Sequence, residues 1–235
     1  MSGLKRFAYL SMVSALRCYT RACLDMRVIG RGNIPAGPKI YAVNHVTSTD
    51  PYWMLTVFRE PVHILIGPGY QSPVAARFFD YFEQINTMPA HRKFAAAKAA
   101  SYLRRGGAIY TAPEGDIQTD QVLGRFYPGV AKIYRRCPAP IIPIAVCTRP
   151  QDMRAYPRLD MEVEGRVYRG VFVLRGVYVV NVGMPFLPQV IKTDDEKADN
   201  RRIMDELKRR IGNLLDEAKA IAALPRAEYR RHCRG

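Results

Sequence analysis

Along this chain of 235 residues, apolar positions gather into short runs whose period changes from one run to the next. Between Leu4 and Leu24, Ser11, Ser14, Arg17 and Arg21 recur at helical spacing. They leave Phe7, Leu10, Val13, Leu16 and Leu24 on the surface around them, which predicts an amphipathic helix over about residues 4–24. Arg17 and Arg21 interrupt the apolar surface, and no clean run approaches the roughly 20 residues that span a bilayer. Such a helix suits a membrane interface, with Lys5, Arg6, Arg17 and Arg21 toward headgroups, or equally the protein's own core. No small-residue cleavage site closes the apolar part, so a removed signal peptide is not expected.

A strand at Met26 to Ile29 and a turn at Gly32 to Pro35 come next, then the apolar run Lys39 to Val43, a buried strand that delivers His45. Asp50 and Pro51 have the order of an N-cap and first-turn proline for a helix through Tyr52, Trp53, Leu55 and Val57. The alternation continues with a strand at Val62 to Ile66, a helix at Val74 to Phe82 and a short apolar stretch at Ile85 to Met88. A basic, alanine-rich helix from about Arg92 to Arg105 stops at Gly106-Gly107. Ala108 to Ala112 is a short strand running into Pro113-Glu114-Gly115-Asp116, and Pro128 can open another helix. Ile141 to Val146 is a buried strand in which Pro143 argues for an edge, a bulge or a strand start. From Met161 to Val182 the pattern turns to β-branched alternation broken by Gly165, Gly170 and Gly176, which predicts antiparallel strands or hairpins. Thr193 and Glu196 have capping-box spacing ahead of a helix with an apolar face of Ile203, Leu207, Ile211, Leu214, Ala218 and Ile221. Its opposite side carries Arg202, Lys208, Arg209 and Lys219.

Together these elements predict an α/β fold: a mixed, largely parallel sheet flanked by helices, with an amphipathic helix at each end. The expected organisation is a single domain over residues 1–225 and a poorly ordered basic tail over 226–235. The composition, 48% hydrophobic and 24% charged, is that of a folded globule. Net charge changes the picture more, because +15 implies attraction to a polyanion. No zinc-ligand spacing, aromatic RNA-binding signature or helix-turn-helix accompanies it, so nucleic acid ranks below an anionic membrane surface. Five scattered cysteines without paired metal or redox spacing are expected to be reduced, buried small residues in a cytosolic compartment.

The chemistry-bearing residues lie at strand ends, where open α/β sheets bind ligands. His45 and Asp50 are spaced for a histidine base whose ring is fixed by a carboxylate, and a helix-capping role for Asp50 is compatible with that. Glu114 and Gly115 sit at a second strand end. Asn44-His45, Asp50, then Ile85 to Arg92, then Pro113-Glu114-Gly115, then Ile141-Ile142-Pro143-Ile144 form four ordered blocks. In that order and separation they resemble the glycerophospholipid acyltransferase family, of the 1-acylglycerol-3-phosphate acyltransferase type.

That resemblance covers roughly residues 28–186 and implies an O-acyltransferase. An acyl group would pass from acyl-CoA or acyl carrier protein, as co-substrate, to a hydroxyl of a lysophosphatidate-like glycerolipid. By resemblance His45 is the general base and Asp50 its orienter. Asn44, Arg92, Glu114, Gly115 and Pro143 bind or border the substrates, with Arg92 on the acceptor phosphate. No cofactor or metal is implied, and the expected setting is monotopic at the cytoplasmic face of a membrane. The chain departs from the family pattern at Asp116 and Ile117, where Thr or Ser and then Arg are usual, and at Tyr127, where a basic residue is usual. These departures leave room for an aminolipid or glycolipid acceptor. A non-catalytic basic protein binding membrane or nucleic acid is the alternative from another class.

Overall fold

The computed structural model describes residues 3–189 and 195–232. A seven-stranded sheet is its centre, in the order β1-β11-β6-β2-β5-β3-β4. The strands are β1 (Leu24–Ile29), β2 (Lys39–Val43), β3 (Val62–Ile66), β4 (Ile85–Asn86), β5 (Ala108–Thr111), β6 (Ile141–Thr148) and β11 (Gly176–Val182). β6, β2, β5, β3 and β4 run parallel. β11 is antiparallel to β6, and β1 runs with β11. A mixed, largely parallel sheet is therefore what forms, and the reversed pair lies at one edge.

Every residue of β2, β5 and β6 is buried, because helices cover both faces. Side chains alternate accordingly. Ile40, Ala42, Ile109, Ile141 and Ala145 face one layer, α4 (Pro89–Arg104), α5 (Gly129–Arg136) and α6 (Glu196–Ala223). Tyr41, Val43, Tyr110, Ile142, Ile144 and Tyr178 face the other, which holds α1 (Gly3–Cys23) and α2 (Asp50–Leu55). α3 (Pro73–Tyr81) flanks the sheet near β4 and opens on Ser72, whose hydroxyl accepts from Ala75 N–H.

α1 divides its apolar residues. Tyr9 and Val13 enter the core, whereas Leu4, Phe7 and Leu10 stay exposed. The helix therefore packs on the core through one face and leaves an apolar face uncovered. Among the described residues, no helix is long and apolar enough to cross a membrane.

Three expectations change, and that of buried cysteines holds for Cys147 but not for the exposed Cys18. Asp50 does not cap α2; Thr49 is the N-cap, the helix begins at Asp50 and ends at Leu55, and the Asp50 carboxylate is used elsewhere. Pro143 is in an interior strand but at a bulge, one of the three settings expected for it. Pairing slips by one residue between Ile144–Val182 and Ile141–Phe186, so that Gly183, Met184 and Pro185 oppose Ile142 and Pro143. The missing N–H of the proline falls in that bulge, where no regular ladder bond is lost. α6 is capped by Asp195, which accepts from the N–H groups of Lys197 and Ala198; Thr193 lies outside the described residues. In the stretch expected to be a poorly ordered tail, Arg226–His232 is a short helix, α7, and residues 233–235 lie outside the described residues.

The alternating stretch after β6 makes only small hairpins. β7 (Arg154–Ala155) pairs with β10 (Val171–Phe172), and β8 (Met161–Val163) with β9 (Arg166–Tyr168), while β11 joins the main sheet. This excursion, residues 149–175, folds across the carboxyl ends of the parallel strands. Ser48 N–H donates to Val171 O at 2.7 Å, and Trp53 Nε1 donates to Val173 O at 2.9 Å. Gln71, beyond β3, donates to Glu162 O, and Arg166 reaches Asp116, beyond β5.

Candidate active site

β2 ends at Val43, and the next residues turn tightly to reach α2. Asn44 is buried and spends its side chain on β6: its Nδ2 donates to Val146 O at 3.0 Å, and its Oδ1 accepts from Val146 N–H at 2.7 Å. The amide imitates one more rung of the ladder and so fixes where the strand stops. The expectation that Asn44 contacts substrate gives way here to a positioning role.

His45 is gripped through its own peptide groups. Its N–H donates to Glu114 Oε2 at 2.7 Å, and its carbonyl accepts from Gln118 N–H at 2.7 Å. The second oxygen of Glu114 accepts from Gly124 N–H at 2.8 Å. Burial raises the Glu114 carboxyl above the usual range, and the two N–H donors pull it back toward the ionised form. Glu114 was expected to meet the acceptor; it is 2% exposed and serves the protein's own backbone. Gly115 follows at φ +65°, in the left-handed region that favours glycine, with the Tyr127 ring 3.5 Å from where a Cβ would stand.

Asp50 is fully buried and accepts five hydrogen bonds. On Oδ2 these come from Val46 N–H at 2.7 Å, Thr47 N–H at 2.8 Å and His45 Nδ1 at 3.0 Å. On Oδ1 they come from the Thr47 hydroxyl at 2.7 Å and the Tyr178 hydroxyl at 2.9 Å. Burial first, and the adjacent Asp50 second, hold the Tyr178 phenol protonated. An acceptor so placed requires the proton of His45 on Nδ1, which leaves the lone pair on Nε2. The His45 side chain is one-fifth exposed, so that lone pair is within reach of a substrate. This arrangement can remove a proton from a hydroxyl. Among the described residues, no cluster of three or more His, Cys, Asp or Glu side chains is disposed to hold a metal ion.

The sequence profile of the acyltransferase family matches residues 25–147, more than half of the chain. The chain belongs to the acyltransferase family. Among solved structures, this acyltransferase is similar to the 1-acyl-sn-glycerophosphate (LPA) acyltransferase PlsC from Thermotoga maritima. Identity is 17% and the TM-score 0.64, with 89% of this chain and 80% of that one covered, so the likeness is one of fold. No curated protein sequence matches.

Around the His45–Asp50 pair of this acyltransferase, the other expected residues spread along one end of the sheet. Pro143 lies beside Ala42 in the adjoining strand β6. Arg92 is exposed in the first turn of α4, after edge strand β4, with β5 and β3 between it and β2. Asp116, one of the departures from the family pattern, is paired with Arg166 of the excursion at 2.5 Å. Arg125 sits over the Tyr127 ring at 5.6 Å. Sequence reasoning missed Thr47, Gln118 and Tyr178. Thr47 lies inside the His–Asp stretch and could have been suspected. Tyr178, 128 residues beyond Asp50, gives no signal, because a tyrosine in a β-branched strand has the pattern of a core residue.

Proposed function

We propose that this protein is an O-acyltransferase that moves a fatty acyl group from a thioester donor, acyl-CoA or acyl carrier protein, to a hydroxyl of a lysophosphatidate-like glycerolipid. The observation that carries the reading is the locked His45–Asp50 pair at a strand end, with Nε2 left free. His45 Nε2 takes the acceptor's hydroxyl proton as the oxygen attacks the thioester carbonyl. Collapse of the tetrahedral intermediate breaks the C–S bond, and the thiolate leaves with the proton that His45 held. Ester and free thiol are the products, and no electron is gained or lost. Asp50 stabilises the imidazolium that forms between the two steps.

Arg92 is the residue for the acceptor's phosphate, since it stands exposed at the same end of the sheet and a guanidinium fork fits phosphate oxygens. Pairing of Asp116 with Arg166 cancels the carboxylate that would have drawn an amine, which favours a phosphorylated acceptor over an aminolipid. The exposed Leu4, Phe7 and Leu10 of α1, with the +15 charge, suit work on an anionic membrane, at its cytoplasmic face.

The test is thiol release from acyl-CoA and from acyl carrier protein with a panel of acceptors. Wild type should turn over with lysophosphatidate, and His45→Ala should lose about 100- to 10,000-fold in rate. Equal activity in His45→Ala would overturn the reaction, and turnover only with a glycolipid or aminolipid would overturn the acceptor.

A further inference from the structure

At the edge of the sheet formed by β1, far from Arg92, a groove of about 580 Å³ opens between α1, β1 and the segment leaving α2. Its floor is apolar, from Met26, Val28 and Val57. Around the floor stand Arg17, Arg21, Arg31, Arg59 and Arg226, against one carboxylate, Asp25. That carboxylate is already engaged by Arg27 at 2.7 Å and Arg226 at 3.4 Å. Arg17 donates to the carbonyls of Thr56 and Phe58, which orient it without cancelling its charge. Among the described residues, Arg21, Arg31 and Arg59 have no ion pair and no side-chain hydrogen bond. Burial, then repulsion from Arg59 and Arg17, pulls Arg31 below its ordinary value. Like charges gathered in a concavity raise the energy of the protein until an anion enters and relieves it.

We propose that this groove is a second anion site, separate from His45, that takes the phosphate headgroup of an acidic phospholipid. Guanidinium forks match phosphate oxygens, and the apolar floor accommodates the glycerol and the first methylenes of a lipid. Arg17 and Arg21 belong to the same helix that exposes Leu4, Phe7 and Leu10, so the groove opens beside the surface suited to lipid. The site rests on the membrane-surface part of the function proposed above. It does not depend on the chemistry at His45.

The experiment is flotation of the full chain with vesicles of phosphatidylcholine, alone or mixed with phosphatidylglycerol. Arg31→Glu with Arg59→Glu is compared with an equal change of charge elsewhere, Arg201→Glu with Lys219→Glu, both exposed on α6. The groove pair should weaken binding to the acidic vesicles by about tenfold or more, and the control pair by less than about threefold. Arg31→Gln with Arg59→Gln should lose binding in the same direction, which guards against misfolding of the charge-reversed protein. Equal losses in the groove and control pairs, or none in the groove pairs, would overturn the site. Inorganic phosphate separates the sources: a phosphate-induced rise in melting temperature that the groove pair abolishes, with unchanged vesicle binding, would overturn the headgroup assignment. In detergent micelles the groove pair should keep wild-type thiol release. If vesicle binding needs the groove while His45→Ala leaves acyl transfer intact, the proposed reaction fails and the groove stands.

Discussion

Replacing Asp50 by Asn isolates what the carboxylate does for His45. The amide can keep its oxygen toward the N–H groups of Val46, Thr47 and His45. Its NH2 then faces the hydroxyls of Thr47 and Tyr178, which can turn to accept. The histidine keeps its tautomer and the loop its shape, so substrate binding and fold survive. What disappears is a negative charge against the imidazolium. Opposite unit charges about 4 Å apart attract by about 4 kcal/mol at the effective dielectric of a protein site. The pair, at 3.0 Å between heavy atoms, is of that class. Losing that attraction where the imidazolium forms costs roughly a thousandfold in kcat, at tenfold per ~1.4 kcal/mol. The assay is thiol release from acyl-CoA with acceptor in detergent micelles, with kcat and KM taken separately and a thermal melt as the check on folding. A folded Asp50→Asn protein that retained more than about a tenth of wild-type kcat would refute an electrostatic role for Asp50.

Three further outcomes follow from the same geometry. Tyr178→Phe removes one of five donors to Asp50 at almost no change in volume; the lost hydrogen bond should cost about 1 kcal/mol of folding stability in urea denaturation. The acidic limb of its pH–rate profile should move up, because a carboxylate with one donor fewer holds the imidazolium more firmly, and an unmoved limb would leave Tyr178 a packing residue. Asn44→Ala strands the N–H and C=O of Val146 in the interior and should cost about 1–3 kcal/mol in urea denaturation; an unchanged midpoint would contradict the clamp. His63 is buried and stacked on Tyr102, and burial lowers its pKa. The unfolded chain then binds the extra proton, so stability is full above about pH 6.5 and falls as pH drops from there toward the lowered folded value. His63→Phe should flatten that slope in denaturation measured from pH 5 to pH 8, and a slope that persists would assign it to other groups.

The parallel strands were legible because a strand buried on both faces must be apolar throughout, as β2, β5 and β6 are. His45 and Asp50 were legible because they are neighbours on a short turn. Strand order was not, since nothing in the run Gly176–Val182 tells whether it pairs with its sequence neighbours or crosses to β6 and β1. The roles of Asn44 and Glu114 were hidden for a related reason. A polar residue beside a catalytic histidine has the same sequence whether it faces substrate or bonds a backbone from the next strand, and only the folded register decides. Asp50 showed the same limit. Asp before Pro has the form of a cap, yet two N–H groups upstream and a tyrosine 128 residues downstream claim the carboxylate.

The excursion over residues 149–175 is one uninterrupted length of chain, inserted between two strands that the sheet holds in register. It hydrogen-bonds the turn that carries His45 through Ser48 and Thr49, and α2 through Trp53. The brace on that turn therefore comes from chain 120 or more residues further on. Changes near Val171 to Val173 are felt at the turn through those bonds, and onward from Thr49 through Thr47 to Asp50. For engineering, grafts belong in the outer β8–β9 hairpin, with Val171 to Val173 kept in place.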